Sequence, residues 1–281
     1  MLRTLDPSML GLSHSIQELA PWAAKYGFQA VSAVPLIFQD KSAAWQAADA
    51  LAAYGLSWGL MPMPADFYHW DLDDTAFEAG LETLRRQADT ARALGITRAY
   101  NHVWPCSSRE YDENFSWIVK RLRAVHGILQ ENGISYGLEF LGPHELRALA
   151  KHTFTHSLSG VMDLADAAGE GVGIVFDVFH WYCSQNSAIE DVILMEKQLQ
   201  RLVAVHLSDA VTGRAFDQQK DMERCLPGET GVIDAKTVLS HFRSSNALYM
   251  AEPFQPWCTK LGKMTAEEAV RTVSQALARV E

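Results

Sequence analysis

The sequence predicts an α/β protein built as a (β/α)8 TIM barrel, and three observations carry that expectation. Eight apolar, strand-like runs alternate with amphipathic stretches, several of those stretches close on a glycine, and no run is followed by the glycine-rich phosphate loop of the competing doubly wound sheet. At 281 residues the chain is long for an ordinary domain but suits one such barrel, and no proline-rich linker, low-complexity segment or charge block marks a boundary. A single domain over residues 1–281 is expected.

The strand-like runs lie near residues 9–13, 29–34, 57–62, 97–103, 134–141, 172–178, 202–208 and 247–252. Short, almost wholly apolar runs of this kind suit parallel strands covered on both faces. Between them, SIQELAPWAAKYGF, SAAWQAADALAAYG, DDTAFEAGLETLRRQADTARALG and DENFSWIVKRLRAVHGILQENG carry apolar residues at helical spacing. They end at Gly27, Gly55, Gly95 and Gly133, as helices do when a left-handed residue turns the chain into the next strand. Trp22, Trp45 and Trp117 sit on these helical patterns and are expected in packing. The longest interruption, residues 209–233, follows the seventh run, so it is expected at the rim where barrel enzymes carry their sites.

Net charge of −10 argues against a nucleic-acid backbone or an anionic membrane as partner, because both need a basic footprint. The opening MLRTLDPSMLGLSHS lacks the charged and apolar regions of a signal peptide, and no run approaches membrane-spanning length, so a cytoplasmic location is expected. Cys106, Cys183, Cys225 and Cys258 are scattered without a C-x-x-C pair and read as isolated thiols.

Four polar residues end four successive runs: Glu139 in ISYGLEFLG, Asp177 in GVGIVFDVFH, His206 in RLVAVHLSD and Glu252 in ALYMAEPF. Period-two alternation sets Glu139 on one face with Ser135 and Gly137, Asp177 with Gly173 and Val175, His206 with Leu202 and Ala204, and Glu252 with Leu248 and Met250. One carboxylate at a strand end reads as a helix cap. Three with an imidazole at one rim repel unless a cation compensates them, which favours one divalent ion. Oxygen-rich ligation with one nitrogen suits Mn²⁺ first, then Mg²⁺ or Co²⁺, with Zn²⁺ as a further alternative.

His180, three residues beyond Asp177, is placed to meet a substrate hydroxyl. His69 and His102 follow the third and fourth runs at rim positions, and Trp70, Trp104 and Trp181 share those neighbourhoods as an apolar wall for a ring.

At GLEF, FDVFH, VHLSD, RCLPGETGVID and AEPF the chain resembles the xylose-isomerase-like barrels of the sugar phosphate isomerase and epimerase family. Within that family it is most similar to the branch of 2-keto-myo-inositol isomerases, inosose dehydratases and ketose 3-epimerases. The resemblance spans the full barrel pattern and implies that Glu139, Asp177, His206 and Glu252 hold one divalent metal, with Glu139 and Glu252 also moving protons. It identifies His180 as the histidine of D-x-x-H and places Arg224, ahead of Leu-Pro-Gly-Glu, near the substrate. Two departures stand out: PGETG replaces the shorter PGEG around Glu229, and the segment after Glu139 is histidine-rich, offering His144 or Arg147 to the pocket. The extra histidines of a three-zinc DNA-repair endonuclease are missing.

The expected activity is isomerisation or epimerisation of a small keto-sugar or keto-cyclitol by proton abstraction beside a polarised carbonyl. A dehydratase or lyase on a keto-inositol or keto-glycoside shares the first step and stays open. A phosphodiesterase acting on abasic DNA and a non-catalytic sugar-binding barrel are the remaining readings, disfavoured respectively by the acidic charge and by the complete ligand set. The expected partner is a small sugar or cyclitol, with no nucleic acid or membrane, and a homo-oligomer is compatible.

Overall fold

The computed structural model describes residues 1–281. Its eight barrel strands are β1 (Leu2–Leu5), β2 (Ala30–Val31), β3 (Ser57–Trp58), β4 (Arg98–Val103), β5 (Ser135–Phe140), β6 (Val172–Asp177), β7 (Leu202–Leu207) and β8 (Leu248–Ala251). The sheet order is β3-β2-β1-β8-β7-β6-β5-β4, with every neighbouring pair parallel. A parallel bridge between Met61 and Ala99 joins the chain just past β3 to β4 and closes the ring. No helix is long and apolar enough to cross a membrane.

Local sequence sets the helix ends. Ser15 with Glu18 and Thr265 with Glu268 form capping boxes at the first and last helices, each satisfying two otherwise orphaned groups. Asp73 caps the helix Asp74–Leu94, which Gly95 ends at φ 76°, a left-handed conformation that costs glycine nothing.

The apolar core has two parts. A large one fills the space between sheet and helices, and a small one inside the ring consists of Leu60, Val175, Val203, Ala204, Leu248 and Met250. Gly137 faces this inner core: a Cβ there would stand 2.9 Å from Val175 Cγ2 and 3.1 Å from Val203 Cβ.

Three expectations change. The first strand is Leu2–Leu5 rather than residues 9–13, which form a turn containing Gly11 at φ 67°; Leu10 and Leu12 are buried there as loop side chains. Strict alternation along β7 also fails. Ile174 pairs with Leu202 but Val175 pairs with Ala204, and the irregularity turns Val203 into the ring beside Ala204 while Leu202 joins the outer core. Trp45 is 54% exposed rather than packed.

Candidate functional site

Glu139, Asp177, His206 and Glu252 come from β5, β6 and β7 and from the residue after β8, four adjacent strands of the ring. One potential ligand atom from each lies within 4.8 Å of the others, and all four residues are buried. Asp177 has two structural duties as well. Its Oδ1 accepts the amides of Phe179 (2.6 Å) and His180 (3.1 Å), capping the helix Val178–Gln185, so the helix-cap reading and the ligand reading hold together. His206 Nδ1 stands 2.9 Å from Glu139 Oε1 and 3.5 Å from Glu252 Oε2.

Burial alone would raise the Glu139 carboxyl, but His206 and His102 overcome it and hold the group well below the usual carboxylate range. Asp177 is likewise opposed by burial yet drawn down to about 2 by His180 and Arg224. At Glu252 burial wins over His206 and Arg224, and the carboxyl rises to about 7. Burial disfavours the charged imidazole of His206, but Glu139 and Glu252 raise it well above the ordinary histidine value. The donor set fits a divalent cation: three carboxylates and one imidazole converge, and His206 Nε2 is buried without a hydrogen-bond partner.

Arg224 lies against the cluster, fully buried. It is placed by the short parallel pairing of Glu223–Arg224 with Gln255–Pro256. Its Nη1 donates to Asp177 Oδ2 at 2.7 Å and to Glu252 Oε2 at 2.8 Å. Nη2 donates to Asp221 Oδ1 at 2.7 Å and lies 3.3 Å from His180 Nε2, and Nε donates to the Asp221 carbonyl at 2.9 Å. The rings of Phe179 and Phe254 stand 4.5 and 4.6 Å from the guanidinium carbon.

His102, from β4, reaches Glu139 Oε2 at 3.1 Å with its side chain 39% exposed, so it links the buried carboxylate to the open side of the site. Its imidazole is disfavoured by burial as a cation but raised to about 9 by Glu139 and the neighbouring carboxylates. Tyr100, two residues earlier, sets its ring 5.0 Å from that of His206 and 5.4 Å from that of His102. Beyond lies an aromatic corner. His69 stacks on Trp70 at 4.0 Å, Trp70 meets Trp104 edge-on at 5.1 Å, and the Trp104 indole donates to Asp66 Oδ2 at 2.5 Å. His69 also contacts Asp71 through Nδ1.

The remaining expected site residues fall elsewhere. Trp181 is buried against Phe176 in the outer core with its indole N–H on the Ala188 carbonyl, away from Trp70 and Trp104 of the aromatic corner. His144 packs edge-on against Phe216, and Arg147 donates to the carbonyls of Gly142 and Cys183; both brace loops. The PGETG segment has a local explanation in Asp209, which accepts the amides of Ala210, Thr230, Gly231 and Ile233 at 2.7 to 2.9 Å. The extra threonine thus supplies an anchor, and its hydroxyl donates to the Ala210 carbonyl.

Asp6 was not expected. It sits buried just past β1, accepts the Met9 amide at 3.0 Å, and is raised by burial against the pull of Met9, Ser32 and His206. The signal was LRTLD, an apolar run ending in a carboxylate like the others, masked by placing the first strand too late.

A family model described as the xylose isomerase-like TIM barrel matches residues 20–278. The chain belongs to this family. Among solved structures, this xylose isomerase-like barrel is similar to a xylose isomerase domain protein from Alicyclobacillus acidocaldarius, at 25% identity and TM-score 0.79 over 100% of this chain and 98% of that one. It is similar to the IOLI protein with a binding zinc atom at 18% identity and TM-score 0.78, again covering 100% and 98%. A D-psicose 3-epimerase from Clostridium cellulolyticum H10, with D-tagatose, gives 13% identity and TM-score 0.71 over 99% and 97%. No curated protein sequence matches the chain.

Proposed function

We propose that this protein is a divalent-metal-dependent isomerase or epimerase of a small keto-sugar or keto-cyclitol. The observation that carries the reading is the buried convergence of Glu139, Asp177, His206 and Glu252. Similar barrels, an IOLI protein with a binding zinc atom and D-psicose 3-epimerases, agree with it. A divalent ion held by these four residues supplies Lewis-acid polarisation of a substrate carbonyl and its neighbouring hydroxyl; Mn²⁺ is the first candidate and Zn²⁺ the one seen in a similar barrel.

The protein's own groups supply the rest. Glu139 and Glu252 come from the two outer strands of the four-strand arc, so they flank the centre, and one can take a proton from carbon while the other returns one. His102 and His69 offer polar contacts on the open side, Trp70 and Trp104 offer a face for the apolar side of a ring, and His180 orients Arg224.

Incubating the protein with Mn²⁺ and a panel of ketoses and keto-inositols in D₂O tests the reaction. Deuterium at the carbon beside the carbonyl, with substrate mass otherwise conserved, is expected. Metal-soaked crystals should place an anomalous scatterer about 2.0 to 2.6 Å from all four groups. One observation favours a second reading: His102, raised to about 9 and half-exposed beside Glu139, could protonate a leaving oxygen. Loss of water or an alcohol from the substrate would select that dehydratase or lyase outcome.

A further inference from the structure

We propose that the barrel carries a second ligand site at the end opposite the four clustered residues, a cavity that takes a small polyhydroxylated anion on Arg98. The proposal goes beyond the isomerase reading and does not depend on it.

Strand direction sets the place. Glu139, Asp177 and His206 stand toward the C-terminal ends of β5, β6 and β7, whereas Arg98, Ser135, Val172 and Leu202 begin β4 to β7 and line a cavity of about 640 Å³. The inner core lies between the two ends. Val203, turned into the ring by the register irregularity, closes the cavity on that side: a Cβ on Gly173 would stand 2.7 Å from Val203 Cγ2, and one on Gly137 3.1 Å from Val203 Cβ. The cavity is therefore separate from the cluster.

Arg98 gives the cavity its chemistry. β4 and β8 stand opposite each other in the ring, and the Arg98 side chain crosses the mouth to donate from Nη2 to the carbonyl of Asn246, just ahead of β8, at 3.0 Å. That is its one hydrogen bond to the chain, although a guanidinium carries five N–H donors. Burial acts on its charge unopposed by any carboxylate. A half-buried guanidinium without a counter-charge suits an anion, which it can grip with two parallel bonds. The carboxylates at the cavity do not fill this role: Asp166 is bound to Arg201 at 2.8 Å, and Glu170 stands on the exposed turn at the rim.

Size and the rest of the lining narrow the class. A volume of about 640 Å³ suits a molecule of sugar size or more rather than a bare phosphate or carboxylate. Ser135, Gln200 and Asn246 offer a hydroxyl and two side-chain amides that bond to nothing else in the chain, so they are free to meet hydroxyl groups.

Isothermal titration of the full-length protein at matched ionic strength, with glucose 6-phosphate, gluconate and glucose as probes, tests the site. At least one of the two anions is expected to bind and neutral glucose is not; which anion binds distinguishes a phosphate head from a carboxylate. Arg98→Gln should weaken that binding at least about tenfold, the loss expected of a charge-assisted contact, while Glu252→Gln at the far end should leave it within about twofold. Failure of both anions to bind at about 10 mM overturns the proposal, as does glucose binding equal to theirs. Binding that survives Arg98→Gln, or that is lost in Glu252→Gln and so belongs to the cluster, overturns it too. If Arg98→Gln does not fold, Ser135→Phe decides: the ring fills the cavity from an exposed position and should abolish binding, and unchanged binding overturns the proposal.

Discussion

Glu252→Gln changes one oxygen to an amide nitrogen and leaves the size of the side chain unaltered. Arg224 donates to Glu252 Oε2 at 2.8 Å, so the remaining amide oxygen will turn to it and the NH₂ group will face the cluster. That group can neither ligate a cation nor accept a proton. A lost general base or acid costs about 10² to 10⁴ in rate, equivalent to about 3 to 5 kcal/mol of barrier. The fold should tolerate the change, since Arg224 keeps Asp177 and Asp221 as anionic partners. Turnover and deuterium incorporation, followed by NMR on the substrate identified in the ketose panel, should both fall by at least about a hundredfold, while the melting temperature moves little. A variant retaining more than about a tenth of wild-type turnover would refute the assignment of Glu252 to proton transfer.

Other consequences follow from the same contacts. Trp104→Ala should raise KM by about tenfold with kcat nearly unchanged if, as proposed, the indole offers a face to the substrate ring and takes no part in the reacting centre; steady-state kinetics separates the two. Metal-free protein should lose stability as pH rises from 5 to 7: the buried Glu252 carboxyl titrates near 7 when folded and near 4.5 unfolded, so its contribution, on the order of 3 kcal/mol, is full below the unfolded value and lost through the folded one. Urea melts across that range should show the slope, and Glu252→Gln should flatten it. Gly137→Ala should destabilise by about 1 to 3 kcal/mol, since the new methyl meets Val175 and Val203 inside the ring; a denaturation midpoint unchanged from wild type would contradict that packing.

The four clustered residues were legible because each ends a long, uninterrupted apolar run, and runs on adjacent parallel strands must bring their ends together. β1 to β3 were harder: β2 and β3 span two residues each, and the turn at residues 9–13 buries leucines much as a strand would. Asp6 was lost with β1. Val203 escaped the alternation rule because a register irregularity depends on the neighbouring strand, which spacing along one strand does not report. Trp181 shows another limit. Position near a ligand locates a backbone, while the direction of a long side chain depends on partners that spacing from the ligand does not report, here the Ala188 carbonyl.

The join between β3 and β4 is the narrowest in the ring, a single bridge from Met61 to Ala99, reinforced by side-chain bonds from Asn101 to the Ala65 carbonyl and from Trp104 to Asp66. A hoop with one thin weld flexes at the weld. Hydrogen exchange should be quickest among the barrel strands on either side of it, while the four-strand arc from β5 to β8 stays protected. The aromatic corner straddles this weld, with His69 and Trp70 on the β3 side and Trp104 on the β4 side. Transient parting there would widen the gap between the two halves of the aromatic corner without moving the four clustered residues on the other side of the sheet.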